Sequence, residues 1–78
     1  MEKSTALENV LSIIKNTFDI QTENLTLETK LSSFLDSMDI IELSMEMEKE
    51  LSRGITDHVI ESWQTLGEVV DTYLLLLN

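Results

Sequence analysis

The pair Asp36-Ser37 places a hydroxyl directly after a carboxylate and is the first feature of this sequence that suggests chemistry. Nucleophilic catalysis by Ser37 would need a base and an oriented pocket, and the sequence supplies neither. There is no GxSxG turn, the only histidine is His58, and 78 residues are too few to enclose a catalytic triad. We therefore expect His58 to face solvent at the start of a helix, and the sequence does not indicate an enzyme.

Ser37 stands where a helix is predicted to begin, and this position allows two interpretations. Its hydroxyl, or the carboxylate of Asp36, is suited to capping the helix, and for the pair taken alone this is the simpler role. A phosphodiester carried on Ser37 would instead lie against the free N–H groups and the positive end of the helix, where an anion is stabilised. Ser37 is thus also a candidate for covalent attachment of a group.

The composition describes a small, strongly acidic domain, which we expect to span residues 1–78. Apolar residues make up 42% of the chain, enough for it to fold despite 5 Lys and Arg against 15 Asp and Glu and a net charge of −10. This charge would repel nucleic acid and anionic membrane surfaces, and it favours protein partners that present basic patches. We expect a monomer.

The sequence also limits the compartment and the chemistry. Cysteine is absent, so thiol chemistry would have to come from an attached group. Charged residues interrupt the beginning of the chain, which does not fit a signal peptide, and we expect a cytoplasmic protein. The apolar run Leu74 to Leu77 is far shorter than the roughly 20 residues that cross a bilayer, so we expect no stable membrane insertion.

Helical periodicity and the absence of proline predict an all-α fold: a small four-helix bundle with three longer helices, one short helix and a long loop between the first two. The first helix is predicted to begin at Thr5, which forms a capping box with Glu8, and to end near positions 16–19. The last helix is predicted to begin at Thr65 with a capping box to Glu68. Its apolar stripe consists of Leu66, Val69, Val70, Tyr73, Leu74 and Leu77.

Residues 20–35 are rich in Thr, Ser and Asn and are predicted to form the long loop. Loops of this length in a small domain are more often functional than not. The second helix is predicted from about Ser37 to Ser52, and a short third helix, capped by Thr56 or Asp57, is predicted to run through Glu61. The apolar residues expected to hold the loop to the core are Leu25, Leu27, Leu31, Phe34 and Leu35.

The second helix carries apolar residues on two opposite sides. Successive residues turn by about 100° around a helix, so the apolar residues fall into two sets, one directed inward and a second directed nearly opposite to it. We expect the second set to be an exposed surface, rimmed by carboxylates, for basic partners; the alternative is that both sets are buried. The inward set is Ile40, Leu43, Met47 and Leu51. The outward set is Met38, Ile41 and Met45, and the carboxylates near it are Asp39, Glu42, Glu46 and Glu48.

Three segments together resemble the acyl carrier protein family. They are the motif Asp36-Ser37-Met38, the helix start MDIIEL, and GITDHVIESWQTLGEVVDTY over the last two helices, so that the likeness covers nearly the whole chain. The resemblance implies a carrier with 4′-phosphopantetheine attached from coenzyme A to Ser37, whose terminal thiol holds acyl groups as thioesters. It also implies a partner-binding surface formed by Asp36, Met38, Asp39, Ile41, Glu42, Met45 and Glu48.

The partners implied by the resemblance are enzymes of fatty-acid, polyketide or related synthesis. They are a phosphopantetheinyl transferase, an acyl- or aminoacyl-loading ligase, and synthase and transferase enzymes with basic patches.

A set of apolar residues is a candidate shelter for an acyl chain, although the sequence shows no cavity. The set is Phe34, Ile40, Met47, Ile60, Trp63 and Val69.

Several positions depart from the fatty-acid carriers and leave alternatives open. Ser33-Phe34-Leu35 stands where many of them have Leu-Gly-Ala or Leu-Gly-Leu, which keeps a D-alanyl or other aminoacyl carrier in view. Lys49 replaces a usual acid, Thr56 replaces a usual proline, and the Gly-Gly-His-Ser pattern of peptidyl carriers is absent. A more distant alternative is an unmodified acidic helical interaction domain.

Overall fold

The computed structural model describes residues 1–77, which form four α-helices and one short 3₁₀ turn. The helices are α1 (Lys3–Phe18), α2 (Ser37–Leu51), α3 (Asp57–Ser62) and α4 (Leu66–Leu77), and the 3₁₀ turn is Leu31–Ser33. The predicted all-α bundle of three longer helices and one short helix, with a long loop between the first two, is confirmed.

The predicted start of α1 is wrong. The helix begins at Lys3 with Glu2 as its N-cap, and no side chain among residues 1–77 caps it. The N–H of Ala6 already donates to the carbonyl of Glu2 at 3.0 Å. Thr5 therefore lies inside the first turn, with helical backbone, where it cannot form the extended N-cap that a capping box with Glu8 requires.

The capping box predicted for α4 is confirmed. The N–H of Glu68 donates to the hydroxyl oxygen of Thr65 at 3.3 Å, and the N–H of Thr65 donates to the Glu68 carboxylate at 2.9 Å. The N–H of Gln64 donates to the same carboxylate at 2.7 Å. These donors, first Thr65 and then Gln64, hold the pKa of the Glu68 carboxyl below its ordinary value, because they stabilise its ionised form.

The middle helices differ slightly from expectation at their ends. Ser52 takes a left-handed conformation, with φ of 53°, and its N–H donates to the carbonyl of Glu48, so α2 ends at Leu51. Thr56 and not Asp57 caps α3, since its hydroxyl accepts the N–H of Val59 at 3.3 Å.

One hydrophobic core lies between the three longer helices. The buried residues come from the inner sides of α1, α2 and α4 and from the connections between helices. In the predicted stripe of α4, Leu77 is 40% exposed and Leu74 is partly buried. The other four stripe residues belong to the core, namely Leu66, Val69, Val70 and Tyr73.

The long loop is held to the start of α4 by main-chain hydrogen bonds. Gly67 donates to Leu27 at 2.8 Å, Leu66 donates to Thr29 at 2.9 Å, and Leu31 donates to Gln64 at 2.9 Å. All the apolar loop residues expected to hold it pack into or against the core. These contacts fix the chain that leads into α2.

Candidate functional site

Ser37 is the first residue of α2 and is exposed. Its hydroxyl makes no hydrogen bond to any of residues 1–77. The capping role that Ser37 was also suited to is filled by its neighbour, because Asp36 is the N-cap of the helix. The serine oxygen is therefore available for attachment to another group.

Asp36 and Asp39 form a reciprocal capping box at the start of α2. The Asp36 carboxylate accepts the N–H of Asp39 at 2.8 Å, and the Asp39 carboxylate accepts the N–H of Asp36 at 3.1 Å. Two N–H groups at the helix end, those of Ser37 and Met38, have no acceptor within residues 1–77. They leave a partial positive charge beside the serine hydroxyl.

The outward set on α2 is exposed, as predicted. Met38 is 77% exposed, Ile41 54% and Met45 53%, whereas Leu43 and Met47 on the inward side are fully buried. Ile40 and Leu51 of the inward set pack partly against the core. The alternative, in which both sides of α2 are buried, is therefore wrong.

The carboxylates near this surface are not equally available. Glu42 is exposed and has no hydrogen bond or ion pair within residues 1–77, while Glu46 pairs with Lys49 at 3.1 Å. Asp39 is half-buried in the capping box. Glu48 is half-buried as well, and its carboxylate accepts the N–H of Ile55 at 2.7 Å.

Glu48 therefore has a structural role that the sequence did not reveal. Its hydrogen bond holds the connection between α2 and α3 against the last turns of α2. No pattern in the sequence marks this contact, since it depends on how the chain turns after Leu51.

A hollow of about 270 Å³, called here the Ser37 hollow, opens between α2 and α3 beside the serine. Its lining residues are Ser37, Ile40, Ile41, Ile60, Glu61 and Trp63. Three residues of the candidate acyl shelter, Ile40, Ile60 and Trp63, line this hollow. Met47 and Val69 are instead fully buried in the core.

A second and larger hollow, of about 350 Å³, continues along the same side of α2. It shares Ile41, Ile60 and Glu61 with the Ser37 hollow, and its other walls include Glu48 and Asp57. The lining is therefore more acidic than that of the Ser37 hollow.

Trp63 is buried, and its ring N–H donates to the hydroxyl of Thr72 at 3.0 Å. The bond fixes the ring as a wall of the Ser37 hollow. His58 is exposed on α3, as predicted. None of the helices within residues 1–77 has the length and apolar character needed to cross a membrane.

We compared this chain with known proteins to identify its family. The protein-family model for the phosphopantetheine attachment site matches residues 8–73 of this chain. The acyl carrier protein of Phytoplasma australiense is 32% identical over 66 residues, covering 82% of this chain and 87% of that protein. The acyl carrier protein of Clostridium perfringens strain SM101 is 33% identical, with the same coverage.

The fold is similar to that of a solved carrier. The crystal structure of an acyl carrier protein from Thermotoga maritima superposes with a TM-score of 0.90, at 23% identity, and covers 99% of this chain and 92% of that one. The chain belongs to the acyl carrier protein family, whose members are carriers with a covalently attached 4′-phosphopantetheine and not catalysts.

Proposed function

We propose that Ser37 is the attachment residue for 4′-phosphopantetheine and that the chain carries acyl intermediates of fatty-acid, polyketide or related synthesis. The observation that carries this proposal is the Ser37 hydroxyl, which is exposed, has no partner within residues 1–77 and lies at the start of α2. When attached, the group supplies a thiol on a long arm, which holds the cargo as a thioester.

The residues around Ser37 fit a phosphodiester. The unpaired N–H groups of Ser37 and Met38 and the dipole of the 15-residue helix favour an anion at this point. The carboxylates of Asp36 and Asp39 repel such an anion. Each of them already accepts a backbone N–H, however, and both lie near solvent that screens their charge. The local charges therefore allow the modification without a dedicated cation.

The attachment step is a group transfer catalysed by a separate transferase. A bond forms between the Ser37 oxygen and the phosphorus that bears the pantetheine, and the pyrophosphate bond of coenzyme A breaks. Adenosine 3′,5′-bisphosphate leaves, and the hydroxyl proton passes to a base of the transferase or to water. To the bond-making step itself the chain contributes an accessible nucleophile in a fixed place, which is consistent with the exposure of Ser37.

The Ser37 hollow favours an acyl cargo over the alternative of D-alanine or another amino acid. Four of its six lining residues are Ile40, Ile41, Ile60 and Trp63, and they present apolar surface beside the attachment point. An acyl chain gains roughly 0.8 kcal/mol for each methylene that leaves water, whereas a small aminoacyl group such as D-alanine has little apolar surface to bury there.

We also propose that the outward side of α2 is the surface that partner enzymes bind. It combines Met38, Ile41 and Met45 with nearby carboxylates, and it begins one residue after Ser37. Basic patches on a transferase, a loading ligase or a synthase would complement the charge, and the flexible methionines suit several partners. The expected acidic contacts are Asp36, Asp39, Glu42 and Glu48, and we expect these partners and this chain to meet in the cytoplasm.

Mass spectrometry tests the attachment site directly. The unmodified protein is incubated with coenzyme A and a promiscuous phosphopantetheinyl transferase, and we expect a mass gain of one phosphopantetheinyl group. Ser37→Ala should abolish the gain, while Ser12→Ala, which changes an exposed serine in α1, should not. No gain on the wild-type chain would favour an unmodified interaction domain, and a gain on Ser37→Ala would assign the site elsewhere.

Loading of the modified chain tests the cargo. Acyl-activating and D-alanyl-activating ligases are offered the same phosphopantetheinylated protein in parallel. We expect thioesters with acyl groups, whereas exclusive loading with D-alanine would contradict the proposed cargo and favour the aminoacyl alternative.

A further inference from the structure

A third hollow, called here the Lys30 hollow, adjoins the Ser37 hollow and shares two of its lining residues. It has a volume of about 300 Å³ and is lined by Lys30, Leu31, Ser32, Ile40, Trp63 and Gln64. Ile40 and Trp63 also line the Ser37 hollow, so the two hollows are neighbours with shared walls. The Lys30 hollow is therefore next to the hollow that contains the attachment point.

The Lys30 hollow differs in chemistry from the Ser37 hollow. Lys30, Ser32 and Gln64 supply a cation, a hydroxyl and an amide, and none of these side chains has a hydrogen bond or ion pair within residues 1–77. Two of the five basic residues, Lys3 and Lys49, are by contrast paired with carboxylates. The Lys30 hollow thus presents unused donors and acceptors next to apolar walls.

Main-chain bonds keep the walls of the Lys30 hollow in place. Leu31 donates its N–H to the carbonyl of Gln64 at 2.9 Å, and Lys30 pairs with Thr65 in an isolated antiparallel bridge. The Trp63 ring is fixed by its bond to Thr72. A hollow formed in advance costs little ordering when a ligand enters it.

We propose that the Lys30 hollow is a resting site for the polar middle part of the phosphopantetheine arm. The inference rests on the proposed attachment of that arm to Ser37. The arm contains amide groups, a hydroxyl and a pair of methyl groups. Lys30 donates a charge-assisted hydrogen bond to an amide or hydroxyl oxygen, Gln64 and Ser32 complement the remaining polar groups, and Trp63 contacts the methyl groups.

The two hollows then have separate tasks. The apolar Ser37 hollow favours a hydrocarbon cargo, and the mixed Lys30 hollow accommodates the arm that bears it. Weak contacts are sufficient, because a tethered group is present at an effective concentration of about millimolar or more. Weak contacts also let the arm leave quickly when a partner enzyme binds.

NMR spectroscopy of the loaded protein tests the proposal. Complete attachment is first verified by mass, so that a failure of the proposed function is recognised before the resting site is examined. Amide positions of ¹⁵N-labelled protein are then compared before and after loading. We expect shifts at Ser32, at the main-chain and side-chain amides of Gln64 and at the Trp63 ring N–H. We also expect nuclear Overhauser effects from the arm methyl protons to the Trp63 ring and from other arm protons to Ser32 or Gln64.

Two variants with the same change of charge give the control. Lys30→Gln should reduce the shifts at Ser32 and Gln64 by about twofold or more, because a charge-assisted bond is lost. Lys15→Gln, which removes a positive charge from the end of α1 and away from the lining of the hollow, should leave them unchanged. Full loading without shifts at Ser32 and Gln64, or equal shifts in wild type and Lys30→Gln, would overturn the proposal.

Discussion

The N–H of Gly67 donates a 2.8 Å hydrogen bond to the carbonyl oxygen of Leu27, and the two main chains approach so closely that a β-carbon at Gly67 would lie 2.9 Å from that oxygen. The oxygen belongs to the backbone and cannot rotate away. The long loop that leads to Ser37 is therefore bound to the first turn of α4 at a position where only glycine fits without displacement.

Gly67→Ala should destabilise the protein even though alanine favours helices. The gain in helix propensity is at most about 1 kcal/mol, whereas displacement of packed backbone costs roughly 1–3 kcal/mol. Urea unfolding should show a lower midpoint. Gly54→Ala is the matched control, because its β-carbon would have only a carboxylate oxygen of Glu48 at 3.8 Å as its nearest contact. Equal stability of the two variants would contradict the close approach.

The Glu48 carboxylate should contribute more to the fold than to partner recognition. Glu48→Ala removes the acceptor for the Ile55 N–H, and we expect a loss of about 1–3 kcal/mol, partly reduced by exposure to solvent. Hydrogen exchange at the Ile55 amide should become faster. Glu48→Gln keeps an acceptor oxygen and should retain most of the protection.

The same pair of variants separates the two roles of Glu48. If its charge matters mainly to a transferase, Glu48→Gln will lower the modification rate as much as Glu48→Ala does. A slow Ile55 exchange in Glu48→Ala would show that the hydrogen bond does not hold the connection between α2 and α3.

Met45→Glu should weaken partner binding and leave the fold intact, because the Met45 side chain is 53% exposed. The rate of Ser37 modification at low protein concentration should fall by about tenfold, in line with the loss of one apolar contact at the centre of an interface. Circular dichroism should remain that of the wild type.

Met47→Glu provides the contrast, since Met47 is fully buried and an unpaired charge in the core is costly. This variant should lose helicity and stability. Loss of helicity in Met45→Glu would instead indicate that its side chain is needed in the core.

Added salt should raise the melting temperature. Ten surplus negative charges act within a fold whose radius of gyration is 11.2 Å, a distance similar to the Debye length of about 10 Å at 0.1 M salt. Their repulsion is therefore only partly screened in dilute buffer, and it opposes folding. We expect stabilisation by NaCl and, at lower concentration, by MgCl₂. A melting temperature that does not respond to either salt would contradict this account.

Local patterns allowed the helices and the outward side of α2 to be predicted. Apolar spacing separates Met45 from Met47, and the pair Thr65 and Glu68 marks the start of α4, because both signals depend only on nearby residues. The same capping pattern at Thr5 was misleading. Thr and Glu also occur within the first turn of a helix, and the sequence does not show which residue leaves the helical conformation.

Contacts that depend on tertiary packing were beyond this kind of prediction. The bond from Ile55 to Glu48 and the approach of Gly67 to Leu27 depend on how whole segments pack. The two hollows lined by Trp63 likewise arise from the relative placement of α2, α3 and the loop. The family resemblance pointed to Ser37, but it could not show which nearby carboxylates are already engaged.

The reciprocal hydrogen bonds between Asp36 and Asp39 give these two residues a capping role in addition to their proposed contacts with partner enzymes. When an arginine or lysine of a partner binds the Asp39 carboxylate, it competes with the N–H of Asp36 for the carboxylate oxygens. Docking would then relax the turn in front of Ser37 just when its hydroxyl, or the group it bears, has to enter an active site. If partner binding breaks this hydrogen bond, the Asp36 amide should exchange faster in the complex than in the free chain. Slower exchange in the complex would exclude the loss of this bond.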